Sequence, residues 1–220
     1  MVQRGMTINW YGIIVLSGPA IGIVSASILS RLCGICRRSI AYTAFLNTFC
    51  MLLSSVFSVI IFSGGKQYGL SGLGGAFGLM LGTLISMFIH NDHPREMLSS
   101  WVVSAPLMYG ISKLACLYAG CCGGTFMGLP VQLVMSVSFF VVYILSVIVF
   151  FVSSDKASAT VLAMTLAFVV RISLDFFHDS HVGKIVTKEQ ILVMVAGCTA
   201  LVLYALRRRL PFPRGVGYFL

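Results

Sequence analysis

Three ionisable residues in the last third of the chain have a spacing that suits chemistry. Arg171, Asp175 and His178 follow one another at i, i+4 and i+7, so a helix places them on one stripe. The residues before them are apolar, and pairing Arg171 with Asp175 lowers the cost of burying either charge. Ionisable residues at membrane depth mark functional sites by default. The stripe therefore indicates a functional site, with two alternatives: an ion pair that only joins helices, and an interfacial histidine at 178.

A second charged residue stands alone in a long apolar region. Between Glu96 and Asp155 the only charged side chain is Lys113, within the segment Ser112–Gly124 (SKLACLYAGCCGG). A lysine at the centre of a membrane helix costs roughly 2.5–3.5 kcal/mol on insertion scales. We therefore expect a polar pocket around Lys113.

The elements that must position these residues are membrane spans. Of the 220 residues, 58% are hydrophobic and 10% are charged, and the mean hydropathy is +0.98. This composition excludes an ordinary soluble domain. The runs Ser39–Gly65 and Gln67–Asn91 contain no charge, and each exceeds the ~20 residues that a helix needs to cross a bilayer.

We predict an all-α integral membrane protein with seven transmembrane helices in one domain, residues 1–220. The expected spans are residues 10–31, 39–63, 70–90, 98–119, 130–153, 157–177 and 188–206. The apolar run that begins at Trp10 is too long for a signal peptide, so we interpret it as the first span.

The net charge of +9 reflects membrane topology rather than a nucleic-acid partner. One side of the predicted membrane receives Arg31, Arg37, Arg38, Arg95, Lys156, Arg207, Arg208, Arg209 and Arg214, and the other receives Arg4, Lys66, Lys184 and Lys188. The side richer in Lys and Arg is cytoplasmic. The N-terminus is therefore expected outside and the C-terminus in the cytoplasm.

The third span is rich in glycine, with six glycines from Gly69 to Gly82. Small residues at four-residue spacing let helices pack closely. Backbone amides near Ser71 to Gly75 are alternatively placed to line a site for a phosphate or a carbonyl group. Both interpretations can hold together.

Six segments, in matching order, resemble the prolipoprotein diacylglyceryl transferases. They are Trp10–Gly12, Ser71–Gly75, Pro106–Gly124 with its ending Gly120-Cys121-Cys122-Gly123-Gly124, Pro130–Leu133, Arg171–Phe177 and Thr187–Gln190. The chain differs from the family pattern at Ser71, Lys113, Cys121, Leu129 and Asp175, which stand in place of histidine, arginine, glutamate, histidine and glutamate.

The resemblance implies an enzyme of the bacterial plasma membrane, with several spans and no cofactor or metal. It would transfer a diacylglyceryl group from phosphatidylglycerol to the lipobox cysteine of a prolipoprotein signal peptide, with release of glycerol phosphate. The implied catalytic residues are Arg171 and Lys113 as cations for the phosphate, and Asp175 to orient Arg171. Our hypothesis for the general base is His178, the only histidine in register with Arg171 and Asp175.

The resemblance also implies a set of substrate-binding positions: Tyr11, Ser71, Gly72, Cys116, Gly120, Cys121, Gly124 and Gln132. Tyr11 and Gln132 would donate hydrogen bonds to the lipid headgroup. Cys121 and Cys122 are interpreted either as an acceptor or transient acyl carrier, or as small residues at a tightly packed helix end.

Two alternative functions come from other classes. A lipid-binding homologue or transporter without catalysis would share the fold and the lipid. A membrane thiol oxidoreductase would use Cys33-x-x-Cys36 and the Cys121-Cys122 pair. The predicted topology places these pairs on opposite sides of the membrane, and no βαβ context surrounds the C-x-x-C motif.

Overall fold

Six long apolar helices make up most of the described protein. The computed structural model describes residues 10–65, 70–89, 93–121 and 123–179, together with residues 190, 191, 193–195, 197–199 and 202. The helices are α1 (Trp10–Leu32), α2 (Arg37–Ser63), α3 (Gly72–Ile89), α4 (Pro94–Ala119), α5 (Val131–Val152) and α6 (Ala157–Asp175). Each is long and apolar enough to cross a membrane. The prediction of an all-α membrane protein is confirmed at this level.

The bounds of these helices lie within a few residues of the first six predicted spans. The seventh predicted span, residues 188–206, lies largely outside the described residues, and the described positions from 190 to 202 are helical. One element was not predicted: a hairpin of two short antiparallel strands, β1 (Thr125–Phe126) and β2 (Leu129–Pro130), lies between α4 and α5.

Helix α4 runs antiparallel to α1 and α5. Gly18 of α1 faces Met108 and Ser112 of α4, and Ser25 of α1 hydrogen-bonds to Ser104 at 3.0 Å, so residue numbers rise along one helix as they fall along the other. Between α4 and α5, Ser136 Oγ donates to the Gly110 carbonyl at 2.8 Å. The starts of α1, α3 and α5 therefore lie at the same end of the bundle as the ends of α4 and α6. We call this end, which carries the hairpin, the hairpin end.

Three glycines of α3 face α2 at four-residue intervals. A Cβ added at Gly74, Gly78 or Gly82 would collide with Ser58, the Cys50 backbone or Asn47, respectively. Asn47 Nδ2 also donates to Thr83 Oγ1 at 3.1 Å across this interface. Close helix packing therefore accounts for this stripe, in the way that small residues do in membrane helices.

Candidate functional site

The ring of Tyr109 brings together two cations from different helices. Lys113 Nζ lies 5.5 Å from the ring centroid and Arg171 Cζ lies 5.7 Å from it, both within the ~6 Å range of a cation–π interaction. Lys113 is one turn beyond Tyr109 on α4, whereas Arg171 comes from α6. We use the name Tyr109 cluster for four side chains: Tyr109, Lys113, Arg171 and Asp175.

The charges of the Tyr109 cluster do not balance. Arg171 Nη2 pairs with Asp175 Oδ1 at 3.2 Å, and Asp175 is only 6% exposed. Lys113 is 7% exposed, and no described carboxylate or hydrogen-bond acceptor lies within bonding distance of its ammonium group. Among the described residues, two cations and one carboxylate give this cluster a net charge of +1 where Lys113 and Asp175 are largely shielded from water. An anion would remove this imbalance.

An apolar cavity of about 300 Å³ adjoins the Tyr109 cluster. Tyr109 and Arg171 are the polar side chains in its wall, and the rest of the lining is glycine, proline and apolar side chains from α3, α4, α5, α6 and the helical residues after 190. Along α6 the wall extends from Arg171 to Ala163, about 12 Å at the rise of an α-helix. An apolar slot with Arg171 in its wall and with Lys113 in contact with the Tyr109 ring fits an anionic amphiphile.

Ser71 caps the start of α3, close to this cavity. Its Oγ accepts from the Gly74 amide at 3.1 Å, its carbonyl accepts from the Gly75 amide at 2.9 Å, and Ser55 Oγ donates to the same carbonyl at 2.8 Å. Two of the amides predicted to line a ligand site are thus used by the helix itself. Gly72, the other predicted residue here, lines the cavity.

The segment after α4 is fixed to the end of α6 at what we call the hairpin junction, Gly123–Gly124 with His178–Asp179. The Asp179 amide donates to the Gly123 carbonyl at 2.9 Å, and Gly124 forms a β-bridge with His178. Gly124 has φ 139°, and a Cβ there would collide with the Phe177 carbonyl. Only glycine satisfies both conditions, so the fold explains Gly124 without a ligand.

Four of the predicted binding residues fix the backbone at the end of α4: Cys116, Gly120, Cys121 and Gln132. The Gly120 amide donates to the Leu117 carbonyl at 3.2 Å and the Cys121 amide to the Cys116 carbonyl at 3.1 Å, which is a Schellman motif. Gln132 Nε2 donates to the Cys121 carbonyl at 2.8 Å. These contacts support the packing interpretation of Cys121; Cys122 lies outside the described residues.

His178 is buried, and its tautomer follows from its neighbour. Its Nδ1 lies 3.2 Å from the Gly123 carbonyl oxygen. A carbonyl oxygen only accepts hydrogen bonds, so in the neutral ring Nδ1 carries the proton and Nε2 has the free lone pair. The His178 amide donates to the Asp175 carbonyl at 3.2 Å, a tight i→i+3 turn that keeps both side chains on the same side of the chain.

The remaining predicted residues lie apart from the Tyr109 cluster. Tyr11 is in the first turn of α1 and is 38% exposed; the antiparallel packing places it near the end of α4. Cys33 and Cys36 lie beyond the other end of α1, away from Cys121. Burial raises the pKa of the Cys33 thiol, with Lys156 lowering it and Glu96 raising it to smaller extents, which disfavours a reactive thiolate.

Tyr109 was not among the residues predicted from the sequence. The signal that could have found it is its spacing from Lys113, because side chains four residues apart meet on a helix surface. The contact with Arg171 has no such signal, since it depends on how α4 and α6 pack.

The fold and the Tyr109 cluster define a helical membrane protein that combines an intramembrane cationic group with an apolar cavity. Within the described ranges, no three His, Cys, Asp or Glu side chains lie close enough together to hold a metal ion. Comparison with models of known protein families gives no match, and neither does comparison with curated proteins.

Proposed function

We propose that this protein transfers a diacylglyceryl group from phosphatidylglycerol to the lipobox cysteine thiol of a prolipoprotein, the first step of bacterial lipoprotein maturation. The observation that carries the proposal is the unbalanced positive charge of the Tyr109 cluster at one end of an apolar cavity. The six sequence segments that resemble the transferase family are the second support.

Phosphatidylglycerol matches the site in charge and shape. Its phosphodiester carries one negative charge, which equals the net charge of the Tyr109 cluster, and its acyl chains need an apolar slot. Arg171 binds the phosphate through its planar fork. Lys113 adds a point charge, and Asp175 orients Arg171 through their 3.2 Å ion pair.

The reaction replaces a carbon–oxygen bond by a carbon–sulfur bond. The acceptor thiol, with a pKa of about 8.5 in model peptides, loses its proton to His178 Nε2. The thiolate attacks the carbon of the diacylglyceryl group that is bonded to the phosphate; the C–S bond forms as the C–O bond breaks, and the electron pair leaves on the phosphate oxygen. Glycerol phosphate departs, and the two cations stabilise its charge.

The proposal includes a seven-span protein of the bacterial plasma membrane with the hairpin end outside. Four of the described arginines are exposed at the opposite end of the bundle: Arg31, Arg37, Arg38 and Arg95. The positive-inside rule places this end in the cytoplasm. The Tyr109 cluster and His178 then lie in the outer half of the membrane, where a precursor tethered by its signal peptide can reach them.

A lipidation assay tests the proposal. Purified protein is incubated with phosphatidylglycerol and a lipobox peptide, and a peptide with serine in place of the cysteine is the matched control. We expect a diacylglyceryl thioether on the cysteine peptide alone, together with free glycerol phosphate. Absence of the thioether from a folded, lipid-binding protein contradicts the transferase proposal.

A second candidate, a lipid-binding homologue without turnover, is favoured by one observation. Ser71 stands where the family has histidine, and its side chain caps α3. Lipid binding without thioether formation in the same assay would support this homologue. Quinone-dependent oxidation of peptide thiols would instead support the oxidoreductase.

A further inference from the structure

Tyr109 lies within the segment Pro106–Gly124, but neither the predicted site residues nor the proposed reaction gives it a role. We propose that Tyr109 is a positioning residue whose aromatic ring, contacted by both Lys113 and Arg171, holds the two side chains in place as a two-cation clamp for one lipid phosphodiester. The inference rests on the lipid-binding half of the proposed function and does not require turnover.

The two cations need something to hold them near each other. Like charges repel strongly where water is excluded, and Asp175 pairs with Arg171 at 3.2 Å. Among the described residues, the Lys113 ammonium contacts the Tyr109 ring, 5.5 Å away. This contact offsets part of its charge. The negative face of an aromatic ring attracts both cations, so the ring lowers the cost of keeping them together before a ligand arrives.

The ring is held in a fixed orientation. It packs against Phe139 of α5 with a centroid distance of 4.5 Å and an interplanar angle of 50°. The neighbouring Gly110 brings α4 close to α5, since a Cβ there would lie 2.8 Å from the Phe140 ring. Tyr109 also lines the cavity. The clamp is therefore placed where a phosphodiester would lie if its acyl chain filled the cavity.

The mechanism predicts which part of the tyrosine matters. A cation–π contact needs the aromatic ring and not the hydroxyl group, so phenylalanine should replace tyrosine and leucine should not. Leucine still fills an apolar wall, so the binding of a neutral lipid with the same chains should not change.

Binding measurements on purified protein separate these effects. The ligands are dioleoyl phosphatidylglycerol, dioleoylglycerol, which lacks the phosphate, and inorganic phosphate. The variants are Tyr109→Phe and Tyr109→Leu, with Tyr118→Leu as control, because Tyr118 is on the same helix and 62% exposed. We expect Tyr109→Leu to weaken phosphatidylglycerol binding about tenfold. Tyr109→Phe and Tyr118→Leu should bind it like the wild type, and dioleoylglycerol should bind equally to all.

Several results would overturn the inference. Equal losses in Tyr109→Phe and Tyr109→Leu would assign the effect to the hydroxyl group, and a parallel loss of dioleoylglycerol binding would assign it to cavity shape. Unchanged phosphatidylglycerol binding in Tyr109→Leu would remove the role altogether. Inorganic phosphate that binds as tightly as the lipid would identify a free anion as the ligand. The thioether assay measures turnover and these experiments measure binding. Failure of the transferase proposal is therefore distinguishable from failure of the Tyr109 inference.

Discussion

Lys113 and Arg171 have the same charge and contact the same ring, but their surroundings differ. Arg171 has Asp175 beside it at 3.2 Å. Lys113 is 7% exposed without a described carboxylate near it. Arg171 is a partly buried cation with a carboxylate partner, and Lys113 is a buried charge whose partner is expected to be the ligand.

Replacing each cation by methionine should therefore change stability in opposite directions. Lys113→Met removes an uncompensated charge, so we expect a higher thermal unfolding temperature. Arg171→Met removes the ion-pair partner of the buried Asp175, and breaking such a pair costs about 3–5 kcal/mol, so we expect a lower unfolding temperature. Both variants should lower the rate of thioether formation by about 10²–10³-fold, the usual loss for one electrostatic stabiliser.

The measurements are unfolding temperature and initial rate in the same detergent. The double variant with Asp175→Asn and Arg171→Met is the control: it should recover stability without recovering the rate. If Lys113→Met destabilised the protein as much as Arg171→Met, Lys113 would be a paired structural residue and the charge argument would be wrong.

His178 combines a possible base with a structural hydrogen bond, and two substitutions separate these roles. Asparagine places an amide N–H where His178 Nδ1 lies, so it can keep the bond to the Gly123 carbonyl, but it has no titratable nitrogen. We expect both His178→Asn and His178→Ala to lower thioether formation about 10²–10⁴-fold. Only His178→Ala should lower stability, by about 1 kcal/mol.

The rate of thioether formation and the unfolding temperature, measured for both variants, separate the base role of His178 from its structural role. Wild-type turnover in His178→Asn would show that His178 only holds the hairpin junction and that another group accepts the thiol proton.

The sequence predicted one contact of the Tyr109 cluster and missed another. The i, i+4 spacing of Arg171 and Asp175 predicted the observed ion pair, because both lie on one helix. The shared contact of Lys113 and Arg171 with Tyr109 joins two helices. Helical spacing contains no information about that packing, so this part of the site could not be predicted.

At the scale of the elements, the α2–α3 interface depends on glycines that have no room for a side chain. Gly78→Ala should destabilise the protein by roughly 1–3 kcal/mol, because its Cβ would press on the Cys50 backbone. Gly75→Ala is the matched control in the same helix: nothing lies within 4 Å of its added Cβ, and alanine favours a helix.

Thermal unfolding in detergent measures both variants. We expect a lower unfolding temperature for Gly78→Ala and an equal or higher one for Gly75→Ala. Equal destabilisation by both would mean that the contact with α2 does not explain the effect of Gly78→Ala.

The six described spans were predictable and the hairpin was not, for a physical reason. Charge-free runs of bilayer length determine a span by themselves. The two-residue strands at 125–126 and 129–130 have too few residues for a periodic signal. They are stabilised by tertiary contacts, such as the edge-to-face packing of Phe126 on Phe177 at 4.7 Å.

At the scale of the whole molecule, the proposed orientation can be tested by labelling. Cys36 is exposed at one end of the bundle, and Met127 at the tip of the hairpin is 89% exposed at the other. In a background without other cysteines, Met127→Cys should react with a membrane-impermeant maleimide in intact cells. Cys36 alone should react only after permeabilisation, and the reverse pattern would contradict the orientation.

Lys113 has no ion-pair partner among the residues that the structure describes, and this has a consequence for purification. An anionic lipid that neutralises the Lys113 charge only in the native bundle links lipid binding to folding. At a lipid concentration of 100 times the dissociation constant, binding adds about 2.7 kcal/mol to the free energy of unfolding. The lipid would then behave as a removable component of the fold. Protein stripped of lipid by detergent should unfold at a lower temperature and regain stability as phosphatidylglycerol is added back, whereas Lys113→Met should be nearly insensitive to the same titration.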